Sequence, residues 1–391
     1  MSRTRLVDGR AARPPAAPFQ RPTWVEVDLG AITANARVLR DLAPDSRLMA
    51  VVKADGYGHG MVPVARAALA GGADWLAVAL VEEGRALRDA GITTPVLLLT
   101  EPPLAAIPAL LDAGLTPTVY SPGFICALDA AARAAGGDAT AVHLELDTGM
   151  RRVGAPEEDW SGVVDLLGRC EGLLVRGLWS HFACADEPGH PSIERQSTLF
   201  RTGVELARKR GLSPDLVHLC NSAGTLTRPG DHHDMVRCGI ALYGLDPGGG
   251  MLGDVPVRPA MRWVSHVSLV KRLAAGEAVS YGHVWCAPCD TTVATVPAGY
   301  ADGVTRILGG RGEVMIGGVR RPMVGRVTMD QFLVDVGGDT VAVDDEVVLI
   351  GTQGEAAVTA DDWAGWLDTI TYEVVSTVGH RVPRVYHRSD A

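Results

Sequence analysis

The sequence predicts an α/β chain: an eight-stranded (β/α)8 barrel of the TIM type followed by a mostly β C-terminal domain. Three observations carry this. Short apolar, β-branched runs alternate eight times with longer Ala/Leu/Arg segments of helical period. The runs are near-continuously apolar, as strands buried on both faces must be. Beyond Leu242-Tyr243-Gly244 the helical period nearly vanishes.

The expected barrel strands are Leu48 to Lys53, Asp74 to Leu80, Pro95 to Thr100, Thr116 to Tyr120, Ala141 to Asp147, Leu174 to His181, Leu216 to Asn221 and Met235 to Ile240. Between them, segments such as Met61 to Ala70, Val81 to Ala90 and Gln196 to Arg210 carry apolar residues three and four apart, as helices packed on a sheet do. A doubly wound open sheet is the competing architecture, and the count of eight favours the closed barrel. The second domain is expected from short runs bounded by turn residues: Arg262 to Val270, Glu277 to Tyr281, Thr291 to Pro297, Glu313 to Ile316, Phe332 to Val336 and Glu346 to Ile350. One late helix is expected over Ala360 to Thr377. Residues 1–22, rich in Arg, Ala and Pro, read as a flexible arm, 23–256 as the barrel and 257–391 as the β-rich domain.

Composition excludes several function classes. The 391 residues are 47% apolar and carry a formal net charge of -10, with no basic cluster, which argues against a nucleic-acid partner. No run is long enough to span a membrane and the N-terminus lacks an apolar signal core, so a soluble cytoplasmic protein with a small-molecule partner is expected. Seven scattered cysteines suit a reducing compartment. Trp285-Cys286-Ala287-Pro288-Cys289 looks like a redox dithiol, but a strand pattern follows it where that chemistry needs a helix N-terminus. Asp231-His232-His233-Asp234 reads as a solvated loop, and no metal site is expected.

In such a barrel, chemistry sits at the C-terminal ends of the strands. Lys53 ends the first strand; Glu145 and Asp147 close the fifth, with Arg152 beyond it; His181 ends the sixth; Asn221 and Ser222 follow the seventh; Arg237 and Gly239 lie on the eighth. Each has an ordinary structural explanation by itself, but their convergence on one rim does not. A lysine among cationic neighbours has a depressed pKa and acts as a nucleophilic amine, the group that forms Schiff bases. Barrels that do this hold either the substrate itself or pyridoxal phosphate. Asn221-Ser222-Ala223-Gly224 and Arg237-Cys238-Gly239-Ile240 stand where barrels bind phosphate, and Tyr57 can add a hydroxyl.

The segments VVKADGYGHG, DTGM with the arginine after it, HFACADE, NSAG, RCGIALYG, SYGHVW, PAGYADGVTR, VGRVTMDQ and TYEVVSTVGHRVPRVY occur in this order across both domains. In them the chain resembles the alanine racemase family. That resemblance implies L- and D-alanine interconversion for peptidoglycan, with pyridoxal 5'-phosphate as cofactor and an active site shared between the subunits of a homodimer. It implies that Lys53 carries the cofactor and serves as acid/base on one face of Cα, with Tyr281 of the other subunit on the opposite face. Arg237 faces the pyridine nitrogen, where a guanidinium keeps its proton and leaves a weaker electron sink; His181 bonds around Arg237 and Tyr281.

The same resemblance gives Tyr57, Asn221, Ser222, Gly239 and Ile240 to the cofactor, and Arg152 to both cofactor and substrate carboxylate. Met329 makes a backbone contact to the substrate; Asp186, Tyr300, Arg306 and Arg326 form the entrance; Asp330 supports them. Two positions depart from the family. Glu145 stands where many members carry a carbamylated lysine, and pairing with Arg152 is expected of it. His380 stands where some have a tyrosine near the phosphate, and it is given to the cofactor as a donor to that phosphate. The alternatives are a racemase for serine or a broader set of amino acids, a barrel-type decarboxylase, for which an acidic residue at 237 is expected, and a non-catalytic carrier, for which no β domain is.

Overall fold

A computed structural model of the chain describes residues 21–389. Strand β1 (Trp24–Asp28) precedes the barrel, which is built from β2 (Arg47–Val51), β3 (Trp75–Val78), β4 (Val96–Leu98), β5 (Thr116–Val119), β6 (Thr140–Glu145), β7 (Leu173–Trp179), β8 (Leu216–His218) and β9 (Met235–Cys238). These eight pair in parallel in the order β8-β7-β6-β5-β4-β3-β2-β9. Between β8 and β9 the ring is closed by separate bonds, from the Asp234 amide to the Val217 carbonyl and from the Arg237 amide to the Cys220 carbonyl, each 3.0 Å. All four residues of β3 and of β9 are buried, as expected where the strands face side chains inside and helices outside.

The outer helices include α1 (Leu29–Leu42), α3 (Met61–Ala70), α4 (Val81–Asp89), α5 (Ile107–Asp112), α6 (Pro122–Ala135), α7 (Trp160–Leu167), α8 (Pro191–Lys209) and α9 (Ser222–Thr227). Helix α1 shows why they form. Asp28 caps it by accepting the Gly30 and Ala31 amides, and Ala31, Ile32, Asn35, Ala36 and Leu39 make one buried stripe. Asn35 lies in that stripe without penalty, because it donates to the carbonyls of Leu242 and Arg258 and accepts the Arg258 amide. It thereby ties the barrel to the chain leading out of it.

The second sheet contains β10 (Met261–His266), β11 (Leu269–Leu273), β14 (Thr291–Val296), β15 (Glu313–Ile316), β16 (Val319–Val324), β17 (Phe332–Gly337), β18 (Glu346–Gln353), β19 (Ala356–Val358) and β20 (Arg384–His387). A separate hairpin pairs β12 (Ala278–Val279) with β13 (Trp285–Cys286). Strand β1 sits inside this second sheet, antiparallel to β10 and parallel to β20. The barrel expected from residue 23 therefore differs at its start, and the alternation in WVEVD is the reason: Glu26 stays half-buried while its neighbours Val25 and Val27 are buried, a pattern for a sheet with one wetter face. Of the expected arm, residues 1–20 lie outside the described residues, while Arg21 is fixed to Asp302 and to the Pro297 carbonyl.

The helix expected over 360–377 is two, α10 (Ala360–Leu367) and α11 (Thr371–Ser376). Asp368 breaks it in the left-handed region (φ 55°), a conformation aspartate tolerates. All seven cysteines are free, and Cys286 lies on a strand. No helix among the described residues is long and apolar enough to cross a membrane.

Candidate active site

A cavity of about 510 Å³ opens where the barrel strands end. Ten of the residues singled out from the sequence line it: Lys53, Tyr57, Glu145, Arg152, His181, Asn221, Ser222, Arg237, Gly239 and Ile240. Lys53 follows β2 directly. Burial pushes its amine below the ordinary lysine range, Arg152 adds to the shift, and Glu83 opposes it. The five residues Lys53–Tyr57 make a turn, α2, of unusual hand: Ala54, Asp55, Gly56 and Tyr57 have φ of 53°, 52°, 60° and 52°. Left-handed backbone costs about 1–2 kcal/mol for each residue bearing a Cβ. Its own bonds, Gly56 amide to Val52 carbonyl at 2.8 Å and Gly58 amide to Ala54 carbonyl at 3.0 Å, offset part of that.

Arg237 is buried, and both of its terminal guanidinium nitrogens are hydrogen-bonded. One guanidinium nitrogen donates to His218 Nδ1 at 2.9 Å; the other donates to the carbonyls of Ser180 at 2.8 Å and Leu219 at 3.0 Å and to His181 Nδ1 at 3.3 Å. The cation lies 4.6 Å from the Trp179 ring centre. Burial lowers its pKa to about 10, with Glu145 opposing, so it remains a cation at neutral pH. Both imidazoles that accept from it are held neutral, well below the usual histidine range, by burial first and by Arg237 second. Behind His218 the chain of bonds continues 2.9 Å to His143 Nδ1.

At the other end of the cavity, Ser222 Oγ accepts the amides of Gly239 at 3.0 Å and Ala241 at 3.3 Å, and Asn221 caps α9 by accepting the Gly224 amide at 2.9 Å. A side chain at Gly239 would collide with the Tyr57 hydroxyl, so glycine is what lets the phenol reach this wall. Tyr57 stacks on Tyr243 with ring centres 4.8 Å apart.

Glu145 is buried, and its Oε2 has no hydrogen-bond partner. Burial raises its pKa to about 8 against the pull of Arg237 and Arg152. The expected Glu145–Arg152 ion pair is absent among the described residues. The strand buries the carboxylate while Arg152 lies exposed on the loop beyond it.

Eight singled-out residues lie away from this cavity. Tyr281 is 71% exposed, at the tip of the β12–β13 hairpin rather than at a strand end. Ser280 holds that tip by donating to the Arg326 carbonyl at 2.7 Å. Tyr300 and Met329, both exposed, meet because the Tyr300 amide donates to Thr328 and the Ala301 amide to Met329. Asp330 pairs with Arg381 at 2.6 Å; Arg306 and Asp186 are exposed. His380 is exposed and outside the cavity, so the donor expected of it is not there. Tyr372 lines the cavity instead, its ring centre 6.1 Å from that of Tyr57. Tyr372 and Ser376, both on α11 beyond the break at Asp368, are among the residues at the cavity's edge. Sequence reasoning passed over Tyr372 inside TYEVV, and over Trp179, although its place at the end of β7 is a signal.

Residues 27–247 match the model of the alanine racemase N-terminal domain and residues 260–386 that of the alanine racemase C-terminal domain. An alanine racemase of Frankia casuarinae is 48% identical over 92% of this chain and 95% of its own. The alanine racemase of Streptomyces coelicolor superposes with a TM-score of 0.91 at 44% identity, covering 94% of this chain and 98% of that one. That of Bacillus anthracis, solved with bound L-Ala-P, gives 0.89 at 37%, covering 95% and 96%. The chain belongs to the alanine racemase family.

Proposed function

We propose that the protein interconverts L-alanine and D-alanine, taking a proton from one face of Cα and returning one to the other. The observation that carries this reading is a lysine amine of lowered pKa opening into the same cavity as a buried arginine whose two terminal nitrogens are hydrogen-bonded. We infer pyridoxal 5'-phosphate as the cofactor. The residues fit it: the amine to carry its aldehyde carbon, the Ser222 and Tyr57 hydroxyls with the Gly239 and Ile240 backbone to hold a phosphate, and Arg237 to face a ring nitrogen. When bound, the cofactor supplies a conjugated ring that delocalises the electron pair left at Cα.

The chain's own residues do the rest. Lys53, its pKa lowered by burial and by Arg152, is the group placed to take a proton and hand it back on one face. Arg237 holds its proton and so donates hydrogen bonds without surrendering charge, which disfavours the decarboxylase reading, where an acidic residue is expected. Arg152 draws the substrate carboxylate to the mouth. Val51, Ala79, Leu99 and Trp179 line the cavity with apolar surface that excludes water.

The second face needs a group from outside this chain. Tyr281 is that group in our reading, delivered by a second copy. Its exposure, together with that of Tyr300, Met329, Val284 and Ile307, supports a surface made to be covered. Incubation with L-alanine in deuterated water tests the whole reading: deuterium should enter Cα as D-alanine accumulates. Exchange without inversion, or carbon dioxide release, would overturn it.

A further inference from the structure

We propose that Glu83 is a positioning residue for Lys53: its carboxylate, shared between the start of α4 and the Ala54 amide, holds the left-handed turn that aims the amine into the cavity. This rests on the reading of Lys53 given above. Oε2 of Glu83 accepts the amides of Ala79 at 2.9 Å and Leu80 at 3.1 Å, while Oε1 accepts the amide of Ala54 at 2.6 Å. One side chain thus joins the end of β3 to the residue that follows the lysine on the neighbouring strand.

The other outside supports of the turn act further along. Asp55 accepts the Met61 amide at 2.9 Å, and Arg384 donates to the Gly58 carbonyl at 3.0 Å. Neither touches the peptide next to Lys53. Ala54 and Tyr57 have no local reason to be left-handed, since neither is glycine and neither side chain can bond its own backbone as Asn or Asp can. A conformation of that kind persists only where the surroundings fix it. With Glu83 gone, Ala54 is free to return to ordinary backbone angles and swing the lysine with it. The carboxylate also favours the charged amine, so its loss should move the amine's titration to lower pH.

The cap and the clamp can be separated. Leu80 is exposed and extended at the N-cap of α4, so Leu80→Asp supplies a replacement cap that does not extend to Ala54. The experiment follows cofactor-free protein condensing with pyridoxal phosphate, in which the amine adds to the aldehyde and water leaves. Borohydride then reduces the C=N bond, and the adduct is located by mass. In Glu83→Ala the high-pH plateau rate should fall by about tenfold or more, and the midpoint should move to lower pH. In Leu80→Asp/Glu83→Ala the melting temperature should recover while the plateau stays low. Glu82→Ala, an exposed neighbour, should match wild type.

A plateau that returns with the melting temperature would make Glu83 a helix cap only, and an unchanged plateau in Glu83→Ala would end the proposal. If Glu83→Ala does not fold, Leu80→Asp/Glu83→Gln carries the same comparison, because an amide has one oxygen for two sets of donors. Absence of an adduct at Lys53 in wild type would instead sink the functional reading and this proposal with it.

Discussion

Arg237 donates to Nδ1 of His218 at 2.9 Å, and that bond fixes the protons of two imidazoles. Because Nδ1 accepts, the proton of neutral His218 is on Nε2 and is donated to Nδ1 of His143. His143 therefore carries its own proton on Nε2, an atom with no partner in the structure. The arginine sits at the head of a polarised chain running across the barrel. His218→Phe keeps a flat ring but removes the acceptor, leaving a buried guanidinium N–H unpaired. Urea denaturation should show a loss of about 1.5–3 kcal/mol. A loss below 0.5 kcal/mol would mean the bond contributes nothing that water cannot replace.

Buried neutral histidines set the acid side of stability. His59 and His143 titrate at about 4 and about 3 in the fold, lowered chiefly by burial, and His181 and His218 are also well below 6.5. The unfolded chain takes up these protons as pH falls through 6.5, so stability drops from there towards the folded values. Each histidine adds a slope of at most about 1.4 kcal/mol per pH unit. Glu145 and Glu101, raised by burial, act in the opposite sense, but four histidines outnumber them. Denaturation midpoints should fall steadily between pH 6.5 and 4.5. A flat profile would contradict the buried neutral rings.

Glu145 sets the alkaline side. Its folded pKa of about 8 lies above the unfolded value of 4.5, so its contribution is full below pH 4.5 and is lost as pH rises through 8. Glu145→Gln cannot ionise. The cofactor-free variant should therefore lose less stability than wild type between pH 6 and 9, measured by thermal unfolding. Parallel losses would show that the carboxylate is already ionised and paired.

Tyr281→Phe removes one of the two proposed proton carriers and leaves Lys53 in place. Racemisation should fall by roughly 10²–10⁴-fold. One enantiomer should still exchange its Cα proton for deuterium with retained configuration, because one face keeps its base. Equal loss of exchange for both enantiomers would mean the phenol does not act on one face alone.

Much of the barrel was legible because its strands are buried on both sides. Apolar runs such as Leu48 to Val52 permit few other readings, and polar residues at their C-terminal ends, Lys53, His181 and Arg237, mark the rim. Features set by tertiary context were not legible. Nothing in WVEVD shows that it joins a sheet built more than two hundred residues later, through Val25 beside Trp263. Ala54 and Tyr57 carry no local signal for left-handed backbone, since neighbours impose it. Tyr372 was hidden because the break at Asp368, which separates α11 from α10, looks in sequence like one more turn of helix.

In the proposed reaction, Lys53 and Tyr281 flank one substrate from two different chains. Mixing Lys53→Ala with Tyr281→Phe protein under subunit exchange tests this arrangement most directly. If sites are shared, the hybrid dimer has one site with both lesions and one intact, so two inactive preparations should together recover racemisation. If each chain completes its own site, no hybrid holds an intact pair, and the mixture stays as inactive as its parts.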